Sequence, residues 1–219
     1  MKTAELQSRL RALGLDPGPS DGVYGELTEE AVFDALDLWA PAVDVPAGII
    51  PLEWLSACSM DRVICHWTAG SHSAGSADKD HYHILIEGDG TLIRGVYSIK
   101  DNVDTGDGRY AAHTKNCNTG SIGVSLCCMA GAIENPFDPG VHPMTEKQWA
   151  TLAVVVAELC RFYDIVVTPQ TVLSHAEVQG TLGIQQSGKW DYTRLPFDPG
   201  VQGATACGDR LRAEAAALA

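Results

Sequence analysis

The chain has 219 residues, 45% hydrophobic and 20% charged, which is enough apolar material for a real core and excludes a disordered chain. Its formal net charge of −13 argues against nucleic acid or an anionic membrane surface as the main partner, because both need a basic footprint. The seven cysteines (58, 65, 117, 127, 128, 160 and 207) are odd in number, irregularly spaced and without a CxxC pair. They read as small buried hydrophobes made in a reducing compartment, not as a disulfide framework.

The N-terminal stretch MKTAELQSRLRALG is amphipathic and lacks an apolar h-region, so synthesis in the cytoplasm without a signal peptide is expected. No window approaches the ~18 apolar residues of a membrane span. Residues 1 to about 58 read as a small helical module. Leu6, Leu10 and Leu13 recur at helical spacing, and Gly14 can end the helix. Residues 16–22 are dense in turn formers. Thr28 is expected to cap a second helix with apolar face Ala31, Val32, Ala35, Leu36 and Leu38. A loop with Pro41, Pro46 and Gly48 leads to a short third helix around residues 52–57.

From residue 59 the pattern changes to strands alternating with helices. Val63, Ile64 and Cys65 form a short apolar run that predicts a buried strand ending in His66. Taken alone, His66 reads more readily as a satisfied core or boundary histidine than as a reactive one. Residues 71–80 read as a loop, and residues 81–86 as the next strand. Glu87-Gly88-Asp89-Gly90 predicts a tight hairpin, with residues 91–96 returning as its partner strand. Residues 101–120 are expected to be loop, and residues 122–129, almost wholly apolar, a central strand. Thr145 is positioned to cap a long helix to about residue 163, with Trp149, Leu152, Val155, Val156 and Leu159 facing inward. Val172, Leu173 and Ser174 predict a strand delivering His175; residues 180–199 read as irregular, and residues 208–218 as a final helix.

His66, His113, His175 and the pair Lys189/Asp191 thus fall at strand ends or in loops. Catalytic zinc takes three protein ligands from His and Asp, Glu or Cys and keeps a fourth position open. His66, His175 and Asp191 are one set these residues allow, although spacing alone does not select it.

Two resemblances follow from the ordered motifs. Leu6-Gln7, Leu10, Leu13-Gly14, Gly18, Asp21-Gly22, Gly25, Thr28 and Ala31-Val32 resemble the three-helix peptidoglycan-binding module of cell-wall hydrolases. The competing reading is a generic helical cap on the following domain. Over residues 60–200, IxHxTAG, HYHILIxxDGTLxxG, AxHxxxxNxxSIGVSL, a long helix and LSHAEV with GKWD resemble the type 2 zinc-dependent N-acetylmuramoyl-L-alanine amidases, a family that shares its fold with the peptidoglycan recognition proteins. That resemblance implies an α/β fold with a mixed central sheet flanked by helices, preceded by the small three-helix domain. It divides the chain into residues 1–58 and 59–219. It implies zinc on His66, His175 and Asp191, catalytic roles for Tyr82 and Lys189, and substrate contacts from His113 and Asn118.

The implied reaction cleaves the amide between N-acetylmuramic acid and L-alanine in peptidoglycan, with a phage-type endolysin as the expected setting and a monomer as the expected state. A non-catalytic wall-binding protein and a zinc peptidase cutting within the stem peptide are the other readings. Two departures stand out. Ser125 occupies the place where some relatives carry a glutamate, and Tyr192-Thr193 follow Asp191 where the family usually has Pro-Gly.

Overall fold

A computed structural model of the chain describes residues 2–39 and 48–218, except the side chains of residues 33, 34 and 36–39. The chain divides into two compact units, Met1–Gly48 and Ile49–Ala219.

The first unit contains α1 (Thr3–Ala12) and α2 (Glu26–Trp39). Leu10 and Ala31 are buried, whereas Leu13 is 63% exposed and lies beyond the helix it was expected to stripe. The tie between the helices is polar. Gln7, fully enclosed, donates from Nε2 to the Val23 carbonyl and to Thr28 Oγ1, and its Oε1 accepts from Gly22 N–H. Thr28 therefore does not cap α2, which starts two residues earlier. Its hydroxyl instead donates to the Pro17 carbonyl and clasps the 16–22 turn. The side chains of Leu36 and Leu38, and the whole of Pro41 and Pro46, lie outside what the structure describes.

The expected third helix is a single 3-10 turn, Leu52–Trp54, in the second unit. Its lead-in belongs there by packing. Ile50 is buried in the second unit's core, and the Ile49 and Ile50 amides both donate to the Glu158 carboxylate. The division thus falls ten residues before the expected boundary at 58.

The second unit is built on five strands, β1 (Arg62–Trp67), β2 (Ile84–Ile86), β3 (Leu92–Arg94), β4 (Ser121–Leu126) and β5 (Val172–Ser174), in the order β3-β2-β4-β1-β5. All neighbours are parallel except the β2–β3 hairpin, so the sheet is mixed as expected. Alternation sorts the side chains. Val63, Cys65 and Trp67 of β1 and Ile122, Val124 and Leu126 of β4 join the main core. That core is covered by α4 (Glu146–Phe162), whose five expected inner residues are all buried. Thr145 caps α4, accepting from Gln148 N–H at 3.0 Å. Helix α6 (Ala204–Ala216) packs beside it. The opposite face carries Ile64 and His66 from β1, with Ser121, Gly123 and Ser125 in register on β4.

Two helices interrupt segments expected to be irregular or extended. Helix α3 (Ser76–His81) is six residues long, started by Gly75 N–H donating to the Asp78 carboxylate, and it takes His81 out of the expected strand. Helix α5 (His175–Leu182) begins directly after β5. The Glu177 carboxylate accepts from Ser174 N–H and from Arg212, which also donates to the Val172 carbonyl, so α6 clamps the β5–α5 junction. All seven cysteines are free, and only Cys58 is not buried.

Candidate active site

The site lies where parallel strands end, the usual location for chemistry in open α/β sheets. Strand β1 brings His66 to its penultimate position, and the β5–α5 junction brings His175 as the first residue of a helix. Asp191 comes from the loop before α6. That loop is pinned by Tyr192, fully buried at φ 62°, whose hydroxyl donates to the His66 carbonyl. A left-handed tyrosine is uncommon and is held here by its bond and by edge-on packing against Trp67 and Trp149.

His66, His175 and Asp191 are buried and offer atoms that all lie within 4.8 Å of one another, so they can hold a metal ion. His66 Nδ1 stands 3.0 Å from His175 Nδ1 and 3.7 Å from Asp191 Oδ2, and His175 Nδ1 stands 3.9 Å from the same oxygen. Tetrahedral zinc with bonds of about 2.0–2.2 Å separates its ligands by roughly 3.3 Å, so the triangle and its N, N, O donor set fit that ion. Burial holds the His66 imidazole well below its usual pKa, and the neighbouring His175 and Lys189 charges add to this. His175 is lowered by burial despite the opposing Asp191 charge. Both rings are therefore neutral near pH 7, the form in which an imidazole can ligate a metal. Burial raises Asp191, against the pull of His175 and Lys189.

The other expected residues surround this triangle. The Tyr82 ring centroid is 5.1 Å from that of His66. Tyr82 ends α3, and Gly95 allows β3 to pass it: a Cβ at Gly95 would meet the Tyr82 carbonyl oxygen at 1.8 Å. Burial pushes the Tyr82 phenol well up, the Asp191 charge adds to this, and the Ser125 hydroxyl opposes it. Ser125, paired in register with His66, is wholly buried and its Oγ makes no hydrogen bond of standard geometry. Lys189 is exposed and lines a groove of about 560 Å³ with His175, Gln179, Gln185 and Gln186.

His113 is buried and Asn118 half-buried, and both bond within the protein. His113 lies behind His66, Nδ1 to Nε2 at 3.2 Å, and its Nε2 meets the Ser121 carbonyl at 3.3 Å. Its ring rests on Gly123, where a Cβ would lie 2.5 Å away. Asn118 Oδ1 accepts from Thr114 N–H at 2.8 Å and braces the loop that carries His113.

Sequence reasoning missed Gln186, Thr114 and Tyr192. Gln186 Oε1 is 3.0 Å from His175 Nε2, and Thr114 Oγ1 is 2.9 Å from His113 Nδ1. The one available signal was the adjacency of Tyr192 to Asp191.

Comparison with known proteins places this geometry. The family model described as N-acetylmuramoyl-L-alanine amidase matches residues 57–194, and that described as putative peptidoglycan binding domain matches residues 2–34. A search of curated proteins finds no match. Among solved structures, the chain is similar to N-acetylmuramoyl-L-alanine amidase LysC from Clostridium intestinale URNW, at 16% identity and TM-score 0.41, covering 71% of this chain and 85% of that one. It is also similar to the Staphylococcus aureus hydrolase AmiA, at 13% identity and TM-score 0.47, covering 72% and 73%. The Ph2119 endolysin from Thermus scotoductus MAT2119 bacteriophage Ph2119 aligns at 16% identity and TM-score 0.37, covering 62% and 81%. With more than half of its residues matched by one family model, the chain belongs to the N-acetylmuramoyl-L-alanine amidase family.

Proposed function

We propose that the protein is a zinc-dependent peptidoglycan hydrolase that cleaves the amide between N-acetylmuramic acid and L-alanine of the stem peptide. The observation that carries this reading is the buried triangle of His66 Nδ1, His175 Nδ1 and Asp191 Oδ2. Zinc in such a set supplies Lewis acidity toward the scissile carbonyl and an activated water. Lys189 places a cation beside the triangle, where the negative charge of a tetrahedral intermediate develops. Tyr82, its pKa raised, keeps its proton at neutral pH and acts as a hydrogen-bond donor at the reacting centre. His113 and Asn118 support the site from the loop behind His66. The first unit holds the wall polymer, and the setting is an endolysin that reaches the wall after synthesis in the cytoplasm. No helix among the described residues is long and apolar enough to cross a membrane.

The test is metal analysis of purified protein together with mass analysis of products from purified peptidoglycan. One zinc per chain and intact peptides beginning at L-alanine are expected, with release abolished by a chelator or by His66→Ala. Shorter peptides would identify a peptidase, and wall binding without release would identify a non-catalytic binder.

A further inference from the structure

Two buried relays run from one loop to the two imidazoles. Gln186 is 6% exposed, and its Nε2 donates to the Lys115 carbonyl at 2.9 Å, which leaves Oε1 facing His175 Nε2 at 3.0 Å. An amide oxygen only accepts, so His175 carries its hydrogen on Nε2 and its lone pair on Nδ1.

The second relay has the same logic. His113 Nε2 faces the Ser121 carbonyl, which also only accepts, so His113 Nε2 carries the hydrogen and Nδ1 the lone pair. The Thr114 hydroxyl donates to that Nδ1 at 2.9 Å, and its oxygen stands 3.4 Å from His66 Nε2. With the single lone pair of His113 Nδ1 filled by Thr114, the acceptor left to His66 Nε2–H is Thr114 Oγ1, and the free lone pair of His66 is on Nδ1.

We propose that the loop of residues 111–121 fixes the tautomer of both ligand histidines, through His113 to His66 and through Gln186 to His175, so that two bare Nδ1 lone pairs meet at the metal position. Gln186 and His113 are thus positioning residues. Two lone pairs 3.0 Å apart beside a carboxylate repel one another, and a divalent cation relieves that repulsion. The proposal rests on the zinc reading of the site.

The test uses the full chain stripped of metal. Zinc affinity is read by competition with a chromophoric chelator for wild type, Gln186→Leu, Gln186→Glu and His113→Phe. The imidazole ¹⁵N–¹H correlations of the metal-free wild type report the tautomers directly. Gln186→Leu and His113→Phe are expected to weaken zinc binding about 10- to 100-fold, the usual effect of removing a partner behind a ligand. Gln186→Glu keeps an acceptor on His175 Nε2–H but gives up the donor to the Lys115 carbonyl, so it is expected to restore the affinity in part. Both His66 and His175 should show hydrogen on Nε2. Hydrogen on Nδ1 of either ring in the wild type, or wild-type affinity in Gln186→Leu, overturns the proposal. A wild type that binds no zinc sinks the zinc reading and the proposal with it. A wild type that binds zinc as tightly as Gln186→Leu does sinks the proposal alone.

Discussion

Lys189 stands in solvent at the edge of a groove, yet its charge is felt at His66, His175 and Asp191. A cation so placed is poorly screened toward the interior and makes no ion pair among the described residues. Lys189→Ala is expected to lower the kcat of peptide release about 100-fold, the scale of a lost oxyanion partner, with zinc content unchanged. A wild-type rate would remove Lys189 from the chemistry. The grouping of His66, His175 and Asp191, which the structure brings together, was legible through the ordered motifs and not through spacing, because a histidine at a strand end serves equally well as a satisfied boundary residue. The residues that aim them were not. Gln186 reads as a surface glutamine until folding brings it to the carbonyl of Lys115, 71 residues away. Tyr192 reads as a loop tyrosine until its hydroxyl reaches the His66 carbonyl, 126 residues away.

At the level of elements, the strands announced themselves by apolar runs and the long helix by its stripe and cap. The helices α3 and α5 did not. Their sequences, SADKDH and HAEVQGTL, have short or broken apolar faces, and each is held by one carboxylate bonded to the backbone at its start. One buried strut joins the loop behind the site to the sheet. His83 accepts from Gly123 N–H on Nδ1 and faces Asn102 Oδ1 from Nε2, while Asn102 donates to the carbonyls of Ala111 and Asn118. Burial lowers the His83 pKa from 6.5 to about 4, with the bond to Asn102 opposing the shift. As the pH falls below 6.5 the unfolded chain takes up this proton first. The strut's contribution is therefore complete above that pH and declines by about 3 kcal/mol as the pH approaches 4. Urea unfolding of wild type between pH 7 and 4 should show a steeper loss than His83→Gln, by up to one proton. Equal slopes would refute the assignment.

For the molecule as a whole, the division between units decides what can be separated. A chain starting at Ile49 keeps Ile50 in the core and the two amides on Glu158. A chain starting at Ser59 loses both and leaves the Glu158 carboxylate without those donors. Burial of one isoleucine alone is worth about 2–5 kcal/mol. The shorter chain should be less stable to urea unfolding by at least that free energy, while the longer one keeps hydrolysis of soluble fragments and loses retention on sacculi. Similar stability for the two would place the true edge nearer residue 58. The sequence marked the composition change at 59 but not this lead-in, because Ile49 and Ile50 read as part of the small helical module until Ile50 meets a partner 108 residues later.

The long spans that close the site set an order of events. Its parts come from positions 66, 82, 113, 175 and 191, and the loop bearing Asp191 is anchored to β1 by the Tyr192 hydroxyl. A growing chain on the ribosome cannot assemble the His66, His175 and Asp191 triangle until Asp191 has been made. A fragment that ends before residue 191 keeps the segment matched by the peptidoglycan-binding family model without a complete candidate metal triangle.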